Sequence, residues 1–72
     1  MNLSDYIVLH LTAEGMSRRQ LARTLGCSHM QVLRWIEGAT PSTRLLGPLF
    51  NELGLDAVER VEIMQRLADA TP

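Results

Sequence analysis

Residues 17–38 read SRRQLARTLGCSHMQVLRWIEG, and this stretch holds two short helical patterns in succession. Each pattern begins with a serine that lies three residues before a glutamine, Ser17 with Gln20 and Ser28 with Gln31. This is the spacing of a capping box, in which the two side chains bond backbone N–H groups that the helix leaves unpaired. The stretch therefore predicts two separately capped helices.

The apolar residues of both patterns recur at the three- and four-residue spacing of one helix face. They are Leu21, Ala22 and Leu25 in the first pattern, and Val32, Trp35 and Ile36 in the second. Gly26 and Gly38 follow these runs, and glycine commonly ends a helix. Only Gly26, Cys27 and Ser28 are left for the turn between the patterns. We predict a tight helix-turn-helix whose second helix covers residues 28–37.

A first helix is predicted from about Leu3 to Ala13, with Asn2 or Ser4 as its N-cap. The run Tyr6-Ile7-Val8-Leu9 also suits a strand by composition, so the sequence alone leaves both readings open. Gly15 marks the place where the chain must turn before the central stretch.

A fourth helix is predicted between Ser42 and Leu53, after Pro41. Its inward residues are Leu45, Leu46, Leu49, Phe50 and Leu53. Gly47-Pro48 interrupts this pattern, because proline lacks the N–H that a helix interior uses. The sequence permits either a kinked helix or a shorter helix that starts at Pro48.

A fifth helix is predicted from Asp56, with Glu59 completing a capping box, up to Thr71-Pro72. Its predicted inward stripe consists of Val58, Val61, Met64, Leu67 and Ala68. Ile63 lies off that stripe, and Leu55 has no obvious place inside either. One reading is that Ile63, and Leu55 with it, contributes to a contact between two copies of the chain; the alternative is that Ile63 completes the small core.

Composition bounds the fold class. The chain has 72 residues, of which 46% are hydrophobic and only three are aromatic, so an aliphatic core in a single domain of residues 1–72 is expected. Cys27 has no disulfide partner in the chain. No apolar run approaches the roughly 20 residues of a membrane span. The apolar stretch near the start has no basic residues ahead of it, so we do not expect a signal peptide. We expect an all-α, cytoplasmic protein without a membrane segment.

The formal charge is unevenly distributed along the chain. The net charge is −1 overall, but it is −2 for residues 1–16, +4 for residues 17–47 and −3 for residues 48–72. A positive centre between acidic ends suits a molecule that turns one face toward phosphates. An ordinary solvated surface with scattered arginines is the alternative.

The segment Arg18 to Glu37 resembles the helix-turn-helix of the Cro/C1-type (XRE) phage repressors. Ala22 stands at the small-residue position where the two helices cross, and Gly26 at the left-handed turn. The Trp35-to-Gly38 ending and the later Leu-rich stretch also fit that family. The resemblance implies a compact five-helix, lambda-repressor-like domain around a central helix-turn-helix.

The resemblance also implies the functional residues. The base-reading positions of the family fall on His29, Met30, Gln31 and Arg34. Phosphate contacts are expected at helix starts, where free N–H groups carry partial positive charge, and just after the following loop. These positions are Ser17, Arg18, Ser28 and Arg44. Arg19 and Arg23 either assist electrostatically or only contact solvent, and the role of Glu37 is open because its charge opposes phosphate.

The function implied is a sequence-specific regulator that binds a double-stranded DNA operator. By family habit it is a repressor of phage or mobile-element type that pairs as a homodimer on DNA. The competing reading is a protein-interaction module, such as an antitoxin, antirepressor or co-regulator, on the same scaffold.

An enzyme is not expected. His10 and Cys27 have no visible partners for nucleophilic catalysis, and no phosphate-binding glycine loop is present. Cys27 and His29 supply two of the four ligands that a structural zinc site needs, so only a site shared between subunits would be complete. We therefore expect no cofactor, no metal and no small-molecule substrate.

Overall fold

The computed structural model describes the backbone of residues 1–70 and the side chains of residues 1–69. Over this range the chain forms five α-helices and no strand. They are α1 (Leu3–Glu14), α2 (Arg18–Leu25), α3 (His29–Ile36), α4 (Thr43–Leu53) and α5 (Ala57–Ala70). The predicted all-α, five-helix architecture is confirmed. The predicted end of the fifth helix at Thr71-Pro72 lies outside the described residues.

The helix starts follow the predicted capping chemistry. Asn2, rather than Ser4, caps α1: its side chain accepts from the Asp5 N–H at 2.9 Å. The strand alternative for residues 6–9 is wrong, since these residues lie inside α1. At α5 the Glu59 N–H donates to the Asp56 carboxylate at 2.8 Å, and the Asp56 N–H donates to the Glu59 carboxylate at 3.0 Å. Local side-chain bonds therefore fix where these helices begin.

The core is aliphatic, with Trp35 and Phe50 as its large aromatic members. Its buried hydrophobic residues are Leu3, Ile7, Leu21, Ala22, Val32, Trp35, Leu45, Leu46, Leu49, Phe50, Leu55 and Ile63. The most extensive contacts between helices join α2 to α3 and α1 to α3. The hydroxyl of Ser4 donates to the Ile36 carbonyl, which ties α1 to the end of α3. The helix-turn-helix is thus held from behind by α1.

Helix α4 runs through Pro48 without a break from Thr43 to Leu53. Gly47 and Pro48 are exposed, so the proline ring faces away from the core. Pro48 cannot donate to the carbonyl of Arg44, and the helix tolerates this loss on its solvent side. The alternative in which a shorter helix starts at Pro48 is wrong. His10 of α1 approaches this helix, with its Nε2 3.6 Å from the Glu52 carboxylate.

The inward face of α5 differs from the prediction. Ile63 is 1% exposed and Leu55 is 6% exposed, so both belong to the core and neither is available to a second copy. Four members of the predicted inward stripe, Val58, Val61, Met64 and Ala68, are instead exposed. The reading that places Ile63 and Leu55 in a contact between two copies is therefore wrong.

Polar side chains explain this rotation of α5. The Arg60 guanidinium donates to the Leu55 carbonyl at 2.9 Å and to the Asn51 side chain at 3.0 Å, and it lies 5.9 Å from the centre of the Phe50 ring. On the α1 side, desolvation and the nearby Glu59 carboxylate raise the pKa of the Tyr6 hydroxyl. These contacts turn Ile63 inward, whereas counting apolar residues favours the opposite face.

No helix in the described part is long and apolar enough to span a membrane.

Candidate nucleic-acid interface

Helices α2 and α3 form a short, rigid unit around the turn at Gly26. Gly26 has φ 73°, the left-handed conformation that glycine adopts without steric cost, as predicted. The Cys27 N–H donates to the Ala22 carbonyl at 2.9 Å and closes the end of α2. Leu21 and Val32 are both fully buried. The orientation of α3 relative to α2 is therefore set by core packing and a closed turn.

The outer face of α3 carries Met30, Arg34 and Glu37. These residues are four and three positions apart, so they share one side of the helix, opposite the buried Val32 and Trp35. Met30 is 46% exposed, although methionine is usually buried. Of the four predicted base-reading residues, Met30 and Arg34 thus stand fully on the open face.

His29 and Gln31 are half-buried at the edges of that face. The Gln31 side-chain oxygen accepts from the Ser28 N–H at 3.0 Å, while the Gln31 N–H donates to the Ser28 hydroxyl at 3.3 Å. The amide oxygen of Gln31 is therefore committed to the capping box. Only its NH₂ group is free to reach a base without dismantling the start of α3.

The starts of α2 and α3 are similar. In each, the serine hydroxyl is bonded to the third N–H of the helix, that of Gln20 or Gln31. Among the described residues, the first two N–H groups of each helix, those of Arg18 and Arg19 and those of His29 and Met30, have no backbone or side-chain acceptor. Such N–H groups are suited to bind phosphate oxygens.

A shallow depression lies between the two helices at the turn. It is lined by Arg19, Ala22, Arg23, Cys27, Ser28 and His29. The two arginines are four residues apart on α2, so they project from one side of that helix toward the start of α3. The sequence leaves two roles open for Arg19 and Arg23, and the structure places both at the depression beside Ser28. Their i, i+4 spacing was the signal that could have identified them.

Arg44, at the beginning of α4, belongs to the same region. It is exposed, and its charge acts on the Cys27 thiol. Partial burial raises the pKa of Cys27, and the Arg44 guanidinium offsets part of this effect. Arg44 is therefore close to the turn although 17 positions separate it from Cys27 in the chain. Three of the five arginines of residues 17–47, namely Arg19, Arg23 and Arg44, therefore lie near the turn of the helix-turn-helix.

Glu37 ends α3 at its C-cap position and is exposed. Within residues 1–69 the one basic side chain within ion-pair distance of a carboxylate is His10, beside Glu52, so no arginine there pairs with Glu37. Its carboxylate stands on the same side as Met30 and Arg34, one turn farther along. A negative charge is thus built into the far end of the outer face.

Cys27 and His29 meet no further metal ligands within the described residues. No group of three or more histidine, cysteine, aspartate or glutamate side chains able to hold a metal ion occurs there. The thiol lies at the depression as a small, half-buried residue of the turn.

One comparison with known proteins finds a match, and that match lies in the first part of the chain. Searches of curated proteins and of solved structures found no match. Residues 6–40, which are 35 of the 72 residues, match the profile of the homeodomain-like domain family. This range extends from the first turns of α1 to the loop after α3 and contains the whole helix-turn-helix. The match supports a helix-turn-helix DNA-binding family, without singling out the Cro/C1 type, and the segment that carries the candidate interface is similar to homeodomain-like domains.

Proposed function

We propose that this protein is a sequence-specific, double-stranded-DNA-binding regulator of transcription, acting in the cytoplasm as a repressor of phage or mobile-element type. The observation that carries the proposal is the outer face of α3, which presents Met30 and Arg34 beside a turn that has Arg19, Arg23 and Arg44 near it. An α-helix fits the major groove of B-DNA, and residues near its start reach base edges. The match of residues 6–40 to a DNA-binding family supports the same reading.

Base recognition is assigned to α3. Arg34 binds the O6 and N7 atoms of guanine through two N–H groups, and Met30 contacts the methyl group of thymine. Gln31 donates through its free NH₂ group to a single acceptor, because its oxygen holds the cap. His29, half-buried at the edge of the depression, contributes from the side of the groove.

Phosphate contacts flank this reading helix. Ser17 and Arg18 hold one backbone position at the start of α2, and Ser28 holds another at the start of α3. Arg44 adds a charged contact from α4, on the other side of the turn. Such contacts orient a protein on the duplex and supply affinity that is independent of sequence.

Two copies act together on an operator. One domain of this size presents one reading helix, which covers about half of a typical site and rarely reaches affinities of about 10⁻⁸–10⁻¹¹ M. Pairing about a two-fold axis places two reading helices about 34 Å apart, on successive major grooves. We therefore propose a homodimer on DNA.

The test is a binding-site selection from random duplexes with the wild-type protein, followed by titrations at several salt concentrations. Arg34→Ala should lose about 1–3 kcal/mol on the selected site and little on random DNA. Arg44→Ala should weaken both equally and reduce the slope of log affinity against log salt by about 0.9. A folded wild-type protein that enriches no sequence and binds no duplex at low salt overturns the proposal.

A further inference from the structure

The side of α5 that faces away from the core is apolar along most of its length. Its residues are three or four positions apart, and they are Val58, Val61, Met64, Gln65 and Ala68. We call these five residues the α5 outer face. Val58 is 66% exposed, Val61 54% and Met64 47%. Ile63 and Leu67, which attach α5 to the core, lie on the opposite side of the helix.

The exposure of large apolar side chains is concentrated on this face. Seven large hydrophobic residues are exposed within residues 1–69, and three of them belong to the α5 outer face. Isolated exposed apolar residues are normal at a protein surface, whereas an aligned group indicates a surface that a partner covers. Spacings of three and four are those by which one helix packs along another. The occupant that fits this face is therefore a helix with an apolar stripe of its own.

The border of the α5 outer face is acidic. Glu62 and Asp69 are exposed, and because they are seven positions apart they form one edge of the face. Near the start of the helix, desolvation raises the pKa of the Tyr6 hydroxyl, and the carboxylates of Glu59, Glu62 and Asp56 raise it further. Within residues 1–69 no arginine lies within ion-pair distance of these carboxylates. Lysines or arginines on a partner are attracted to such a border.

A second copy of the chain does not suit this face. Its own α5 brings the same carboxylates, and like charges repel when they lie side by side. Fourteen helical residues span about 21 Å, so two helices in contact along this face bury on the order of 500 Å² in all. Stable interfaces bury about 1,200–2,000 Å². A contact of this size holds a partner only transiently, and opposite charge has to assist it.

We propose that the α5 outer face binds a basic amphipathic helix of another protein. The apolar stripe of that helix covers Val58, Val61 and Met64, while its lysines or arginines lie beside Glu62 and Asp69. Apolar contact supplies part of the affinity, and the opposite charges select a basic partner over an acidic one. The inference goes beyond the proposed function, since this binding requires no DNA.

The geometry allows the partner and the duplex to bind at the same time. Trp35 on the buried side of α3 and Ile63 on the buried side of α5 line the same cleft. The two helices thus turn their buried sides toward each other and their outer faces away from each other. Phosphates also repel the acidic border of α5. A copy bound to DNA through α3 therefore still presents the α5 outer face and can recruit a second protein.

The first measurement uses a synthetic peptide about as long as α5, with leucines at helical spacing and lysines at the other positions. It should bind the wild-type protein with a Kd on the order of 100 µM at low salt, and more weakly as salt rises. Chemical-shift changes in nuclear magnetic resonance spectra should map the contact to α5. The same peptide with glutamates in place of the lysines should not bind.

A pair of valine substitutions tests the apolar contact. Val61→Ser removes the apolar side chain at the centre of the face, and Val8→Ser is the matched control, since Val8 is 45% exposed on α1. Val61→Ser should weaken peptide binding about three- to tenfold, because the methyl groups that it removes are covered in the complex. Val8→Ser should leave the Kd unchanged. Circular dichroism checks that both variants fold.

A double variant, Glu62→Gln with Asp69→Asn, tests the charges and also decides the question if Val61→Ser fails to fold. Its control is Glu14→Gln with Glu37→Gln, which changes the net charge by the same amount at exposed positions outside α5. The α5 variant should weaken peptide binding at least about twofold and flatten its salt dependence. The control should change both less.

The inference is overturned if the peptide does not bind at millimolar concentration, if the contact maps away from α5, or if the acidic peptide binds equally well. Unchanged binding in either folded α5 variant also overturns it. Dimers in sedimentation equilibrium that Val61→Ser abolishes would show that a second copy is the occupant instead. These measurements are made without DNA, so their failure leaves the proposed function intact. Titration of protein already bound to its selected duplex should give the same Kd, and loss of peptide binding there contradicts simultaneous binding.

Discussion

Helices α3 and α5 each have one buried side and one open side, but only for α3 did the sequence predict which is which. In α3 the buried side holds the large apolar residues Val32 and Trp35, and the open side holds the charged residues Arg34 and Glu37. In α5 the open side has more apolar residues than the buried side does. Periodicity locates the core face of a helix only when one face is apolar. A helix with two apolar faces needs tertiary contacts to decide its rotation.

The largest effect is expected when one side chain on each side of α5 is truncated to alanine. Ile63→Ala removes a fully buried side chain and should cost about 2–5 kcal/mol of unfolding free energy, enough to unfold much of a small domain. Val61→Ala, on the solvent side, should change it by less than about 0.5 kcal/mol. Urea denaturation followed by circular dichroism measures both. Equal losses would show that α5 is rotated differently from the structure described here.

The helix-turn-helix was predictable because its information is local. Ser17, Ser28 and Gly26 act within three or four residues of themselves, and the structure confirms each of these local predictions. The rotation of α5 was not predictable, since it depends on Arg60 reaching back to Leu55 and Asn51. The spacing of apolar residues along the sequence does not predict that contact. The same holds for Arg44, which approaches Cys27 only once α4 has packed.

Within α3, Gln31 has two candidate roles that substitutions separate. Gln31→Glu keeps an acceptor for the Ser28 N–H, so the capping box and the stability should persist, but it removes the NH₂ donor. Gln31→Ala removes both and should cost about 0.3–1.5 kcal/mol of stability. If Gln31 reads a base, Gln31→Glu and Gln31→Ala should both lose preference for the selected site over random DNA, and Gln31→Glu should in addition bind all duplexes more weakly because of its added negative charge. If both variants keep the sequence preference of the wild type, Gln31 serves only in the capping box of α3.

The smallest expected effect concerns Glu37, the acidic residue on the open side of α3. Two unit charges about 8 Å apart in water interact by about 0.5 kcal/mol, so removing the repulsion from one phosphate should raise affinity roughly twofold. Glu37→Gln should therefore bind specific and random half-site duplexes more tightly by the same factor, and the gain should shrink as salt rises. Glu62→Gln makes the same charge change on α5 and should have no such effect on a half-site. A loss confined to one selected sequence would contradict this account and show that Glu37 accepts a hydrogen bond from a cytosine amino group, which would make it part of the reading face.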